Sequence, residues 1–289
     1  MTKEILTILA CVPLYVVNSF CDKIISSKEQ NRYNYFYNAL KFLICSICML
    51  PMLLFEKKPV FAMGSLFCGI CCGIMYAISK TVMLRGYEKT SVAFMTLCHS
   101  SGMILPCIIG HFFWSEELSA VSVSGMVLAI ISIVLLKSGT EKNKKFHVKS
   151  SIFGVIIFLT SAGVMIAQKL MGIYFAEQSI SAYNFYSFIV PFLIICCFVR
   201  PGQLAGGEKK NRQLVGICAL GSAVSLCTIS FVMTSLSGRV PSVLLFPLFN
   251  GLGIIFVCIG SAFVFKEKLT VKKLIALALG VIGLCLVNL

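Results

Sequence analysis

Of the three histidines, His99 alone lies deep in an uncharged apolar run; His111 and His147 fall near run ends or in a linker. Imidazole titrates near neutral pH, and an ionisable group at membrane depth is by default a candidate for binding or proton movement. The plainer reading is a neutral histidine bonded to a neighbouring helix. The residue 151 positions further on is the polar Asn250. Lys80, about one turn inside the third apolar run, offers a charge for an anion, although a lysine there also snorkels its ammonium to the interface. Lys41 reads the same way. No carboxylate lies mid-run: Asp22, Glu56, Glu88, Glu116, Glu117, Glu177 and Glu267 sit at run ends or turns, where solvating a charge costs little. Most of the fifteen cysteines fall inside apolar runs, where a free thiol acts as a small hydrophobe. Cys45-x-x-Cys48 and Cys68-x-x-Cys71 have no histidine or second pair beside them, so neither a metal site nor a disulfide is read, and no cofactor is expected.

The elements that must position these groups follow from composition. Hydrophobic residues are 58% and charged residues 12% of the 289, against roughly 25% charged in soluble domains. Mean hydropathy is +0.94. Uncharged runs near the ~20 residues that cross a bilayer as helix recur along the chain. The expected fold class is therefore all-α, a polytopic membrane protein of about ten spans: 5–25, 35–55, 61–84, 91–113, 118–136, 152–171, 182–199, 214–236, 241–265 and 271–287. The first run contains Asn18 and has no small-residue cleavage site, so it reads as a permanent span. The net charge of +14 is spread over short loops, as topology selection produces, and not in a basic stripe with interleaved aromatics, which argues against nucleic acid. Nineteen Lys and Arg fall on one set of alternating loops and five on the other. That count places both termini outside.

The chain repeats itself. Phe265–Val287 restates Trp114–Lys137 at an offset of 151, with Glu267 for Glu116, Leu269 for Leu118 and Thr270 for Ser119. Gly253 answers Gly102, Ser242-Val243 answers Ser91-Val92, and Tyr183-Asn184 answers Tyr33-Asn34; Lys23 and Lys169 each close the first helix of a half. Residues 1–137 thus read as one five-helix unit, 138–150 as a basic linker, and 151–289 as the second unit. Five is odd, so the second copy enters the membrane from the opposite side, an inverted repeat of the kind that builds midplane sites in secondary transporters.

With SEELSAVSVSGMVLAIISIVLL and KEKLTVKKLIALALGVIGLCLV closing the halves, Asp22-Lys23 and Gln168-Lys169 ending their first helices, and Arg85-Gly86 before the fourth, the chain resembles the EamA-like branch of the drug/metabolite transporter superfamily. The resemblance implies a ten-helix carrier whose cavity is lined mainly by the first, third, fourth, sixth, eighth and ninth helices. On those helices it implies as cavity candidates His99, Asn250, Asn18, Gln168, Tyr76, Ser79, Lys80, Ser100, Ser225 and Thr228, with Phe94 and Phe246 closing over an apolar part of the substrate. Tyr15 stands about where the related small multidrug proteins carry a proton-exchanging carboxylate, so carboxylate-based antiport has no support here. Tyr183, Asn184 and Tyr186, like Tyr33 to Asn38, are either an interfacial aromatic belt or a gate. The fifth and tenth helices read as scaffold.

The resulting expectation is a secondary or facilitative carrier of a small metabolite or amphipathic solute, working by alternating access. There is no Gly-rich Lys-Ser/Thr nucleotide loop, and no carboxylate pair or Ser/His dyad for an intramembrane enzyme. A non-transporting regulatory or assembly subunit is the alternative. The expected partners are a small-molecule substrate and membrane lipids, with a homodimer left open, and the expected location is the plasma membrane, multi-pass.

Overall fold

In a bilayer a backbone has no water to bond to, so a spanning segment satisfies its polar groups internally as helix. The computed structural model describes every residue except 1, 27–32, 57, 90–91, 118, 141–147, 200–208, 265–270 and 287–289. Its described segments are helical, with no strand among them: α1 (Thr2–Ile25), α2 (Asn34–Glu56), α3 (Met63–Lys89), α4 (Val92–Ser101), α5 (Ile104–Trp114), α6 (Ala120–Thr140), α7 (Val148–Tyr174), α8 (Ile180–Cys196), α9 (Lys209–Ser237), α10 (Ser242–Val264) and α11 (Val271–Leu286). Seven of the resulting rods are long and apolar enough to cross a membrane, and α8 and the described part of α11 are shorter apolar helices. The fold is that of an all-helical polytopic membrane protein. Helix α6 runs to Thr140 and α7 starts at Val148, so both reach into the stretch read as linker, 138–150. Ser91, Leu118, Glu267, Leu269, Thr270 and the linker residues Lys142, Lys144 and Lys145 lie outside the described residues.

Helices α4 and α5 together make the fourth span, broken at Gly102-Met103. Pro106 has no N–H to give the Gly102 carbonyl, and its ring crowds the preceding turn. Leu105 N–H bonds the Gly102 carbonyl instead at 3.3 Å, and Gly102 and Met103 N–H bond back three residues, to His99 and Ser100. The kink sits hard against α7: a Cβ on Gly102 would lie 2.0 Å from Ser161 Oγ and 2.8 Å from the Phe158 carbonyl. At the offset position, a Cβ on Gly253 would lie 2.8 Å from the Tyr15 ring on α1.

The helix pairs follow one rule. Exchange α1 with α7, α2 with α8, α3 with α9, the α4–α5 span with α10, and α6 with α11, and the main packing pairs map onto one another. Thus α3 packs on α7 as α9 does on α1, α3 on α8 as α9 on α2, and α4 on α7 as α10 on α1. The pairs α2·α8 and α6·α11 map onto themselves. In the last pair Ser132 Oγ donates to the Ala276 carbonyl at 2.5 Å, and Gly280 lets the helices approach closely. Large apolar side chains such as Leu54, Phe67, Ile217 and Phe263 face outward, as a surface solvated by hydrocarbon requires.

Candidate functional site

A cavity of about 70 Å³ lies among α1, α3, α4, α7, α9 and α10. Each helix contributes one narrow face. From α1 come Tyr15, Asn18 and Ser19, and from α7 Ser161, Val164, Met165 and Gln168; spacings of three, four and seven keep such residues on one side of a helix. Helix α3 gives Tyr76, Lys80 and Met83, α4 gives His99, α9 gives Leu226, Ile229 and Met233, and α10 gives Phe246, Phe249 and Asn250. The break after Ser101 ends α4 just past His99, within one turn of it.

Seven sequence candidates therefore meet at one cavity: His99, Asn250, Asn18, Gln168, Tyr76, Lys80 and Phe246. The other candidates lie elsewhere. Ser100 stands behind the wall, its Oγ 3.3 Å from Tyr15 Oη. Ser79 is buried, its hydroxyl without a hydrogen-bond partner among the described residues. Ser225 bonds its own helix at the Gly221 carbonyl. Thr228 bonds the Val224 carbonyl and is exposed, on the outward stripe of Ile217, Leu220 and Val224. Phe94 is core, packed beneath Gly154.

The aromatic clusters are not an interfacial belt in the described structure. Tyr33, Tyr37, Tyr183 and Asn184 are all at most 1% exposed. Asn184 accepts from Ser230 Oγ at 2.6 Å and donates to the Ile180 carbonyl, while Tyr186 Oη donates to the Val60 carbonyl at 3.3 Å. The Ser230 and Val60 bonds fix α8 to α9 and to the segment before α3, away from the cavity lining, while the Ile180 bond stays within α8.

The largest departure from the sequence reading concerns charge. Lys41 and Lys80 do not snorkel; both are buried, as is Asp22 at 1% exposure. Lys41 Nζ lies 3.0 Å from Asp22 Oδ1 and Lys80 Nζ 3.3 Å from Oδ2. Tyr37 Oη donates to Oδ1 at 2.7 Å. Lys41 also donates to Asn18 Oδ1 at 2.7 Å, and Ser222 Oγ donates to the same oxygen at 2.6 Å. The network thus ties α1, α2, α3 and α9 together and borders the cavity through Asn18 and Lys80. Asp22 is near the end of α1 along the chain, but α2 and α3 cover it, so position near a helix end did not mean contact with water.

A second ion pair lies away from the cavity lining. Lys169 Nζ is 2.8 Å from Glu116 Oε1 and donates to the Val240 carbonyl at 2.9 Å. Glu116 in turn accepts the Ser242 backbone N–H at 2.9 Å, at the start of α10, where a carboxylate is favoured by unpaired N–H groups and the helix dipole. Ser115 ends α5 with φ of 53°, an uncommon left-handed conformation for a non-glycine residue. Glu56 does a similar job at α8, accepting from Ser181 N–H at 3.1 Å and from Ser179 Oγ. These carboxylates clamp helix ends of the other half of the chain.

Sequence reasoning missed Tyr15, Ser19, Met83, Ser161, Val164, Met165, Leu226, Ile229, Met233 and Phe249 as lining residues. The helical face carried the signal: Asn18 and Gln168 each have neighbours three or four residues back on the same side.

Residues 2–138 match the EamA-like transporter family. The N-terminal half is EamA-like. The match takes in α1 to almost the end of α6. An uncharacterized transporter of Buchnera aphidicola subsp. Schizaphis graminum (strain Sg) is 25% identical over 133 residues, spanning 45% of this chain and 44% of that protein, so less than half of either is matched. A protein of known crystal structure superposes with a TM-score of 0.70 over 99% of this chain and 96% of its own, at 13% identity. At that identity the likeness speaks for the fold alone, over nearly the whole chain.

Proposed function

We propose that this EamA-like chain is a secondary or facilitative carrier that moves a small metabolite or amphipathic solute by alternating access. The observation that carries the reading is the cavity, whose lining comes from three spans of each half. The swapped helix pairing supports two halves rocking about that cavity, and the inverted repeat in the sequence supplies the symmetry.

At about 70 Å³ the cavity holds a few waters, well below the ~300–1,000 Å³ of a ligand pocket. The conformation is therefore contracted, and a solute enters only when helices separate. Met83, Met165 and Met233 in the wall are flexible side chains that accommodate such a change at low cost. On this reading the Lys169–Glu116–Ser242 clamp, which joins the two halves away from the cavity lining, breaks during the cycle.

Counterflow tests the proposal. Proteoliposomes preloaded with a broad metabolite mixture are expected to exchange one chemical class selectively. Absence of exchange by folded protein would count against a carrier and in favour of a regulatory subunit.

A further inference from the structure

The cavity wall is electrically lopsided. Asp22 is the carboxylate bonded to both Lys41 and Lys80, and no second described carboxylate bonds either lysine. Two ammonium groups share one carboxylate, leaving one positive charge in excess beside the cavity. A buried charge without a full counter-charge is costly, so the site is poised to take an anion.

The fold itself does not demand this charge. With Lys23–Lys169 and Tyr33–Tyr183 setting the register, Asp22 corresponds to Gln168 and Lys41 to Pro191, and Lys80 falls at Ser230 or, followed from the Ser91–Ser242 pair, at Phe231. The second half builds the same helix contacts with neutral residues. The charge therefore belongs to this site and not to the scaffold.

The donors lie on that side of the cavity too. Both bonds to Asn18 use Oδ1, which orients the amide and leaves its N–H₂ as a donor. His99 lines the same cavity, with an Nδ1 that has no partner among the described residues. Helices α9 and α10, the latter also carrying Asn250, bring Leu226, Ile229, Met233, Phe246 and Phe249 as the apolar part of the lining.

We infer that the cavity takes a small organic anion, a carboxylate or phosphate monoester on an apolar body, with the acid group at Lys80, Asn18 and His99 and the body against α9 and α10. This deepens the carrier reading above and rests on it for movement, though not for binding.

The test uses a matched set of probes: 3-phenylpropionate, 3-phenylpropyl phosphate, 3-phenylpropanol and 3-phenylpropylamine. Ligand-dependent shifts in the thermal unfolding of the purified full chain are measured for each. One or both anions are expected to raise the unfolding midpoint above alcohol and amine, and which anion does so separates carboxylate from phosphate. Lys80→Met is expected to weaken anion binding by about tenfold or more, the worth of a charge-assisted hydrogen bond, and to leave the alcohol unchanged; Lys80→Gln serves as the milder variant. Lys58→Met, which removes only a bond to the Gln178 carbonyl, is expected to keep the anion shift. Stabilisation by the amine at least equal to that by the acids would overturn the assignment. So would an anion shift that survives in both Lys80 variants, or no shift with any probe. Counterflow of the same probes separates the two readings: anion binding without exchange sinks the carrier and leaves the anion site, whereas exchange of the amine alone does the reverse.

Discussion

Single residues in this protein derive their role from what desolvates them. Asp22 is bonded by Lys41, Lys80 and Tyr37 at once. Asp22→Asn leaves two buried ammoniums with no carboxylate, whereas Lys41→Met leaves a neutral Asp22–Lys80 pair. Breaking a buried ion pair from one side costs ~3–5 kcal/mol, so Asp22→Asn is expected to destabilise by that order and Lys41→Met by clearly less. Unfolding by titration with sodium dodecyl sulfate in mixed micelles measures both, and equal losses would contradict the excess-charge picture. Of these three charges Lys80 and Lys41 were visible in the sequence as possible anion ligands, and Asp22 was not. The burial of Lys41 and Asp22 depends on which neighbours cover them, and sequence position carries no direct record of that.

At the scale of elements, two devices decide where the helices sit. The first is the α4–α5 kink, where Gly102 meets the α7 backbone. Gly102→Ala puts a methyl 2.8 Å from the Phe158 carbonyl and 2.9 Å from Ala162 N, atoms that cannot rotate away. Overpacking of this kind is expected to cost ~1–3 kcal/mol, read by the same unfolding titration; a neutral effect would mean the kink is not tightly seated on α7. The second is the clamp at the start of α10. Glu116→Gln removes the charge facing Lys169 and weakens the acceptor for Ser242 N–H. Faster hydrogen–deuterium exchange is expected at the first turn of α10, with little change at the first turn of α8, which Glu56 caps. Equal protection in wild type and variant would remove the clamp from the mechanism.

For the whole molecule the decisive property is that both halves face one small cavity. His99→Leu together with Asn250→Leu removes the polar groups of α4 and α10 while keeping apolar bulk. Counterflow by this double variant is expected to fall by about fivefold or more with the fold retained, as two lost hydrogen bonds imply at ~0.5–1.5 kcal/mol each. Full exchange would show that these residues line the cavity without touching the solute. The paired lysines and Asp22 lie on one half only, so under the proposed carrier cycle the two access states would present an acid group to different surroundings and link charge selectivity to direction.

The sequence by itself determined the solvent, the element type and the rods: runs of uncharged residues near bilayer length have no stable alternative to helix, and these emerged as α1 to α11. The duplicated closing segments read as the ends of two units. Hydropathy also picked out polar residues on apolar helices, and seven of the twelve cavity candidates meet at the cavity. Only the tertiary structure decided the rest. Thr228 and Ile229 are adjacent in sequence, yet one faces outward and the other the cavity, because a helix turns ~100° per residue and its neighbours choose the buried face. Tyr183 and Asn184 read as gate or belt until α2, α3 and α9 enclosed them. Asp22, Lys41 and Lys80 looked like charges at liberty to reach water, and the packing of three helices shut them in. Whether a charge is solvated is a property of its surroundings in space, which a linear pattern of hydropathy does not contain.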